Sequence, residues 1–270
     1  MGLWIADQSA GLKRLPGNGC LCPQPLCLCA CGASVICAGP GEARVFASGD
    51  GSEMARYPMP PAVRRMCALP GALYCLSGEA DSLSLLCPRT GQLRLCVQAG
   101  CDPRDLALSP DCRLLAAAGG AAGKLYLYDT AALTPVRAFS LPGIVYAVCF
   151  CGSELAALCA IESGEISACL CRISPRGVVS ERLRLPGLPG ALLALPGGGL
   201  MVGALGQLLL LRRDGRVLRR VPCGLPARLR LQGGFALCAD PLDGALLRVP
   251  LGDGKPQRLY AGEAVDAMIL

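Results

Sequence analysis

Nineteen cysteines and no histidine bound the chemistry open to this 270-residue chain. Cys20, Cys22, Cys27, Cys29 and Cys31 fall in one short segment, and Cys149/Cys151 and Cys169/Cys171 repeat the same one-residue spacing. Side chains two apart on a strand share a face, so Cys27, Cys29 and Cys31 are the residues that would hold a soft ion such as zinc or copper(I). Two observations argue against a metal: no Cys-x-x-Cys pair occurs, and there is no His to complete a mixed site. A disulfide framework is a device of short secreted chains with too little core. The odd number of thiols, and an N-terminal stretch without a basic segment leading into an apolar one, place the chain in a reducing cytoplasm.

Without His there is no Ser-His-Asp or Cys-His pair and no recognisable catalytic set. The run Gly119-Gly120 to Gly123-Lys124 resembles a phosphate loop, but its spacing is one residue short and Leu125 stands where Ser or Thr would meet magnesium. It reads as a long turn between strands. The net charge of +6 comes from dispersed Arg, with Lys only at Lys13, Lys124 and Lys255. With no basic stripe and only 4% aromatic residues, neither phosphate tracking nor base stacking is provided for, so nucleic acid is not a partner. Residues 190–211 are apolar enough to suggest a membrane span, yet Pro196 and Gly197 to Gly199 break them in the middle, and they fit two strands and a turn better.

The elements that must position any site are short. Hydrophobic residues make up 53% of the chain and charged ones 17%, while 35 Gly and 22 Pro divide it into brief apolar pieces, the composition of an all-β protein. The pieces repeat. Residues 103–143 read DLALSPDC, RLLAAAGG, GKLYLYDTAAL and TPVRAFSLPG, four runs each closed by turn residues. Six more copies align by their second strand: LWIAD at 3–7, VICAG at 35–39, LYCLS at 73–77, ALCAI at 157–161, LMVGA at 200–204 and ALCAD at 236–240. Seven copies of about 39 residues predict a seven-bladed β-propeller of four-stranded antiparallel blades, a single domain over 1–270. The copy at residue 3 lacks a first strand, and AVDAMIL at 264–270 is a first strand without a blade, so the two are expected to pair and close the ring.

The third position of the second strand reads Ile5, Cys37, Cys75, Ala116, Cys159, Val202 and Cys238. Cysteine there alternates with small core hydrophobes, which predicts structural thiols.

The segments LALSPDCRLLAAAGG, GKLYLYDTAAL and TPVRAFSLPG resemble the repeat of the YVTN and WD-repeat-like bacterial propellers, most clearly over 103–143. The Gly-His and Trp-Asp signatures of true WD repeats are missing. Among propeller enzymes, quinone-dependent dehydrogenases rely on repeated Trp motifs that Trp4 alone cannot supply. The His and Arg set expected of lactonases is incomplete here. Aligning the first strands puts Asp266, Cys27, Arg65, Asp105, Tyr146, Ala191 and Arg228 at one level of the central channel. Arg65, Asp105, Tyr146, Arg228 and Asp266 would either hold an anionic or sugar-like ligand or plug the channel with ion pairs. The leading expectation is a monomeric, non-enzymatic cytoplasmic scaffold that needs no cofactor, binds no membrane and presents its loops to a protein partner; the alternative is a small-molecule binder or a lactonase-like or sugar-acting enzyme working at the channel mouth.

Overall fold

Among the described residues the turn-punctuated runs form 27 strands, arranged as six four-stranded antiparallel sheets and one of three strands. The computed structural model describes residues 2–16 and 20–270. The closing blade holds β1 (Leu3–Asp7) and β2 (Gly11–Leu15). Next comes a blade of β3 (Cys27–Cys31), β4 (Ser34–Ala38), β5 (Glu42–Ala47) and β6 (Glu53–Pro58). It is followed by β7 (Val63–Leu69), β8 (Ala72–Ser77), β9 (Ser82–Leu86) and β10 (Leu93–Gln98). The clearest sequence repeat forms β11 (Asp105–Leu108), β12 (Leu114–Ala118), β13 (Lys124–Asp129) and β14 (Pro135–Ser140). Then follow β15 (Ile144–Cys151), β16 (Glu154–Ser163), β17 (Glu165–Ile173) and β18 (Val179–Pro186), and β19 (Pro189–Ala194), β20 (Leu200–Ala204), β21 (Gln207–Leu211) and β22 (Val217–Pro222). The last full blade is β23 (Arg228–Gln232), β24 (Phe235–Asp240), β25 (Ala245–Pro250) and β26 (Gln257–Ala261), after which β27 (Ala264–Ile269) returns to β1.

The first strand of each blade touches the first strand of the next: β3 meets β7, β7 meets β11, and so on through β15, β19, β23 and β27 back to β3. That cycle makes the molecule a ring of seven blades. Its closure is the antiparallel pair of β1 with β27, which runs from Leu3 opposite Ile269 to Asp7 opposite Ala264. Gly2 and Leu270 exchange both backbone hydrogen bonds, at 2.9 and 3.2 Å, so the ladder extends to the chain ends.

Seven apolar clusters fill the protein, and each lies between two neighbouring blades. Small aliphatic side chains dominate them; Trp4 packs on Phe46 with ring centroids 5.8 Å apart in the cluster beside the closing blade. All seven residues at the third position of the second strand are fully buried, Cys37, Cys75, Cys159 and Cys238 no less than Ile5, Ala116 and Val202. Cysteine serves there as a compact hydrophobe, and no thiol in the chain is paired in a disulfide.

The closing blade differs from the other six. Among the described residues it has three strands, and in place of a fourth, Leu12 donates its amide to the Cys22 carbonyl at 2.7 Å and accepts from the Leu21 amide at 2.8 Å. Pro16, directly after β2, has no amide to donate to a continuing ladder. The phosphate-loop-like glycines form the β12–β13 turn, as expected. Gly120 there adopts a left-handed φ of 49°, and a Cβ would lie 1.8 Å from the Asp102 carbonyl oxygen. In the blade of β11 to β14, the Ser-Pro-Asp turn is held by the Ser109 hydroxyl, which donates to Asp111 at 2.6 Å and accepts from the Leu114 amide at 2.9 Å. Residues 190–211 divide among β19, a single 3-10 turn at Pro196–Gly198, β20 and β21. No helix among the described residues is long and apolar enough to cross a membrane.

Because closure is non-covalent, deleting residues 264–270 should abolish cooperative thermal unfolding. A circular permutant that joins residue 270 to residue 1 and opens the chain between Gly262 and Glu263 should keep it. Circular dichroism melts of the two proteins check both outcomes.

Candidate functional site at the channel mouth

Two inner strands carry an aspartate whose surroundings are alike. Asp266 of β27 is fully buried; it accepts from the Leu28 amide of the following blade at 2.9 Å and from Arg230 of the preceding blade at 2.8 and 2.9 Å. Asp105 of β11 accepts from the Val148 amide of the following blade at 2.9 Å and pairs with Arg65 of the preceding one. Each carboxylate therefore ties three consecutive blades at the channel wall. Burial by itself would raise the Asp266 pKa, but the Arg230 charge and its hydrogen bonds outweigh burial and hold the carboxyl below its ordinary range.

The structure brings the expected residues together, with a shift at two of them. Arg65, Arg228 and Asp266 stand opposite Leu76, Ala239 and Ala6, the fourth position of the aligned runs 73–77, 236–240 and 3–7. Asp105 faces Ala118, one residue further along, and Tyr146 occupies the bulge between Val145 and Ala147. Simple repeat alignment does not register bulges, because the extra residue leaves the strand pattern on either side intact. Three arginines missing from the sequence reading also belong to the site. Arg230 pairs with Asp266; Arg64 and Arg104 both pair with Asp102; and Arg104 lies over the Tyr146 ring, 4.1 Å from its centroid. The alternation Arg228-Leu229-Arg230 on an inner strand was the signal for Arg230, since residues two apart share a face.

Arg64, Arg65, Arg104, Asp105, Tyr146 and Arg228 line a cavity of about 380 Å³ at this mouth. Asp266 lies behind it, sealed by Arg230. Ion pairs thus hold part of the wall, and a cavity edged by arginines and otherwise largely apolar lies in front of them.

Cys27 and Cys29 do not face the cavity as ligands. Both are buried in the cluster between the blades of β3–β6 and β7–β10, and burial pushes the Cys27 thiol up to about 12 and Cys29 well above the ordinary thiol range. Among the described residues no three Cys, Asp or Glu side chains converge to hold an ion.

A larger concavity, about 860 Å³, opens on the opposite face, between the hairpins of the blades of β3–β6 and β7–β10. Ile36, Val45, Met54, Leu69, Pro70 and Pro88 give it apolar walls, with Arg89 and Arg94 at its edge. Neither arginine has a carboxylate within salt-bridge distance among the described residues, and Arg94 spends one donor on the Gly71 carbonyl at 3.0 Å. Cys87 lines the same groove. Hydrogen bonds from the Thr90 hydroxyl and from the Arg89 and Thr90 amides bring its pKa down to about 7.

No family model matches the chain, and no curated protein does. Solved structures match it over nearly its whole length. A Lactobacillus plantarum protein is 14% identical over 100% of both chains, with a TM-score of 0.77. A putative 6-phosphogluconolactonase from Bacteroides uniformis is 12% identical over 99% of this chain and 98% of its own, with a TM-score of 0.75. A chain of the mitotic checkpoint complex is 14% identical over 77% of this chain and 68% of its own, with a TM-score of 0.65. Likenesses at identities this low bear on the propeller fold alone and leave activity to the site itself.

Two outcomes follow. Asp266→Ala should lower unfolding stability by about 3–5 kcal/mol, since it strands the Arg230 guanidinium, and Arg230→Met in the same chain should recover most of the loss. As Asp266 titrates below its unfolded value, its contribution is complete above that value, near pH 4, and fades as pH falls through the folded pKa, so urea denaturation across pH 2–6 should show an acid loss that Asp266→Ala lacks. Separately, iodoacetamide at neutral pH should label Cys87 ahead of the exposed Cys20, Cys96, Cys101 and Cys112, with Cys27 and Cys29 unlabelled until unfolding, as peptide mass mapping over time would show.

Proposed function

We propose that this chain is a non-enzymatic interaction scaffold of the cytoplasm, which holds an extended protein segment in the groove between the blades of β3–β6 and β7–β10. The observation that carries this reading is the groove itself: larger than the channel-mouth cavity, apolar along its walls and edged by two arginines without carboxylate partners among the described residues. That combination suits a segment offering aliphatic side chains to the walls and a carboxylate to Arg89 or Arg94. Met54, 62% exposed, stands at the groove.

The rest of the molecule suits a rigid support. Every blade is locked to its neighbours by a shared core, and the likeness to a chain of the mitotic checkpoint complex supports the use of such a ring in protein assembly. The likeness of residues 103–143 to YVTN and WD-repeat-like repeats agrees with it. Nineteen unpaired thiols support a reducing compartment.

The test is affinity capture from a lysate of the source cell, with cross-linking to locate contacts. Wild-type protein should retain a partner whose cross-links fall at residues 30–34, 68–71 and 87–94. The exposed double variant Met54→Glu, Arg94→Glu should keep the wild-type melting temperature and recover about tenfold less of it. An unchanged yield, or cross-links confined to the channel-mouth face, would overturn the reading.

A further inference from the structure

At the channel mouth, on the face away from the groove, positive charge exceeds what the fold uses. Five arginines meet there: Arg64, Arg65, Arg104 and Arg228 at the cavity, and Arg230 behind it. They share three carboxylates, each already engaged, since Asp102 pairs with Arg64 and Arg104, Asp105 with Arg65, and Asp266 with Arg230. Arg228 is left over. It comes within salt-bridge distance of no carboxylate among the described residues, and its one recorded hydrogen bond runs from Nη2 to the Arg64 carbonyl oxygen, three blades away round the ring.

Burial, and then the charge of Arg65, push the Arg228 pKa down to about 10. The mouth therefore holds a guanidinium in surroundings that disfavour its charge, and an anion beside it would offset both the burial and the Arg65 repulsion. Donors for such an anion remain. Arg65 gives Asp105 only its Nε and Arg228 uses only Nη2, while both side chains border the cavity. A guanidinium with free donors takes an oxyanion through two parallel hydrogen bonds. Val63, Ala147, Leu225 and Pro226 add apolar wall for a short carbon skeleton.

We propose that the channel mouth binds one small oxyanion carrying at least two negative charges, a phosphate or a di- or tricarboxylate, with Arg228 and Arg65 as its guanidinium contacts. The site is separate from the groove, so it stands or falls independently of the scaffold reading. Its volume, about 380 Å³, admits a metabolite-sized ligand and excludes a folded chain.

Isothermal titration calorimetry of the whole chain with inorganic phosphate and, separately, with citrate, each against chloride at matched ionic strength, tests the proposal. One saturable site is expected with at least one of the two anions, and the anion that binds tells a phosphate site from a carboxylate site. Arg228→Gln should weaken binding about tenfold or more, and Arg228→Lys, which keeps the charge but loses the fork, should fall between it and wild type. Arg228→Gln should also melt at or above the wild-type temperature, since it removes an uncompensated charge, which separates lost binding from lost folding. Arg213→Gln, an exposed arginine on the opposite face, should bind as wild type does. Absence of saturable binding with both anions, undiminished affinity in Arg228→Gln, or an equal loss in Arg213→Gln would overturn the assignment.

Discussion

The apolar side chains of each blade are buried against the next blade rather than within their own sheet, so every one of the seven clusters needs two neighbours in place. A linear stack of such units would leave a bare apolar face at each end. The ring removes both faces, provided the seventh interface forms, and that interface depends on β27 lying beside β1. The ladder from Leu3 opposite Ile269 to Asp7 opposite Ala264 is thus the contact on which the other six interfaces rest. It joins the two ends of the chain, and it is the last to become possible as the chain is made.

The same strand supplies Asp266, which explains why closure and the channel wall cannot be treated apart. Its carboxylate accepts from Leu28 ahead and Arg230 behind, and Asp105 does the same with Val148 and Arg65. In both places a buried negative charge is tolerated because an amide and a guanidinium converge on it, and the result is a polar clasp spanning three blades. Arg228 takes part in no such clasp. That contrast within one channel, between arginines that join blades and one that does not, is the basis of the proposed anion site.

The two faces of the ring differ in kind. At the mouth, where inner strands begin, charge is dense and the space is small. On the hairpin face the blades of β3–β6 and β7–β10 part enough to leave an apolar groove with Arg89 and Arg94 at its edge. The cysteines divide in the same spirit: those of the second strands are buried packing, whereas Cys87 is half-buried at the groove, beside turn amides and a hydroxyl that lower its pKa to about 7.

The repeat period, the strands and the core role of cysteine were legible in the sequence, because alternation and turn residues act locally and Cys37, Cys75, Cys159 and Cys238 stand where Ile, Ala or Val stand in other copies. The closure strand was legible too, since a blade lacking its first strand and a first strand lacking its blade imply one another. Which charges pair was not. Arg65 and Arg228 align at the same position, yet Arg65 pairs with Asp105 whereas Arg228 has no carboxylate within salt-bridge distance among the described residues, Asp266 being taken by Arg230 from across a blade boundary. Strand periodicity is set by each residue's own neighbours in the chain, whereas the partner of a charge is set by blades far apart in sequence, and only the closed ring brings those together.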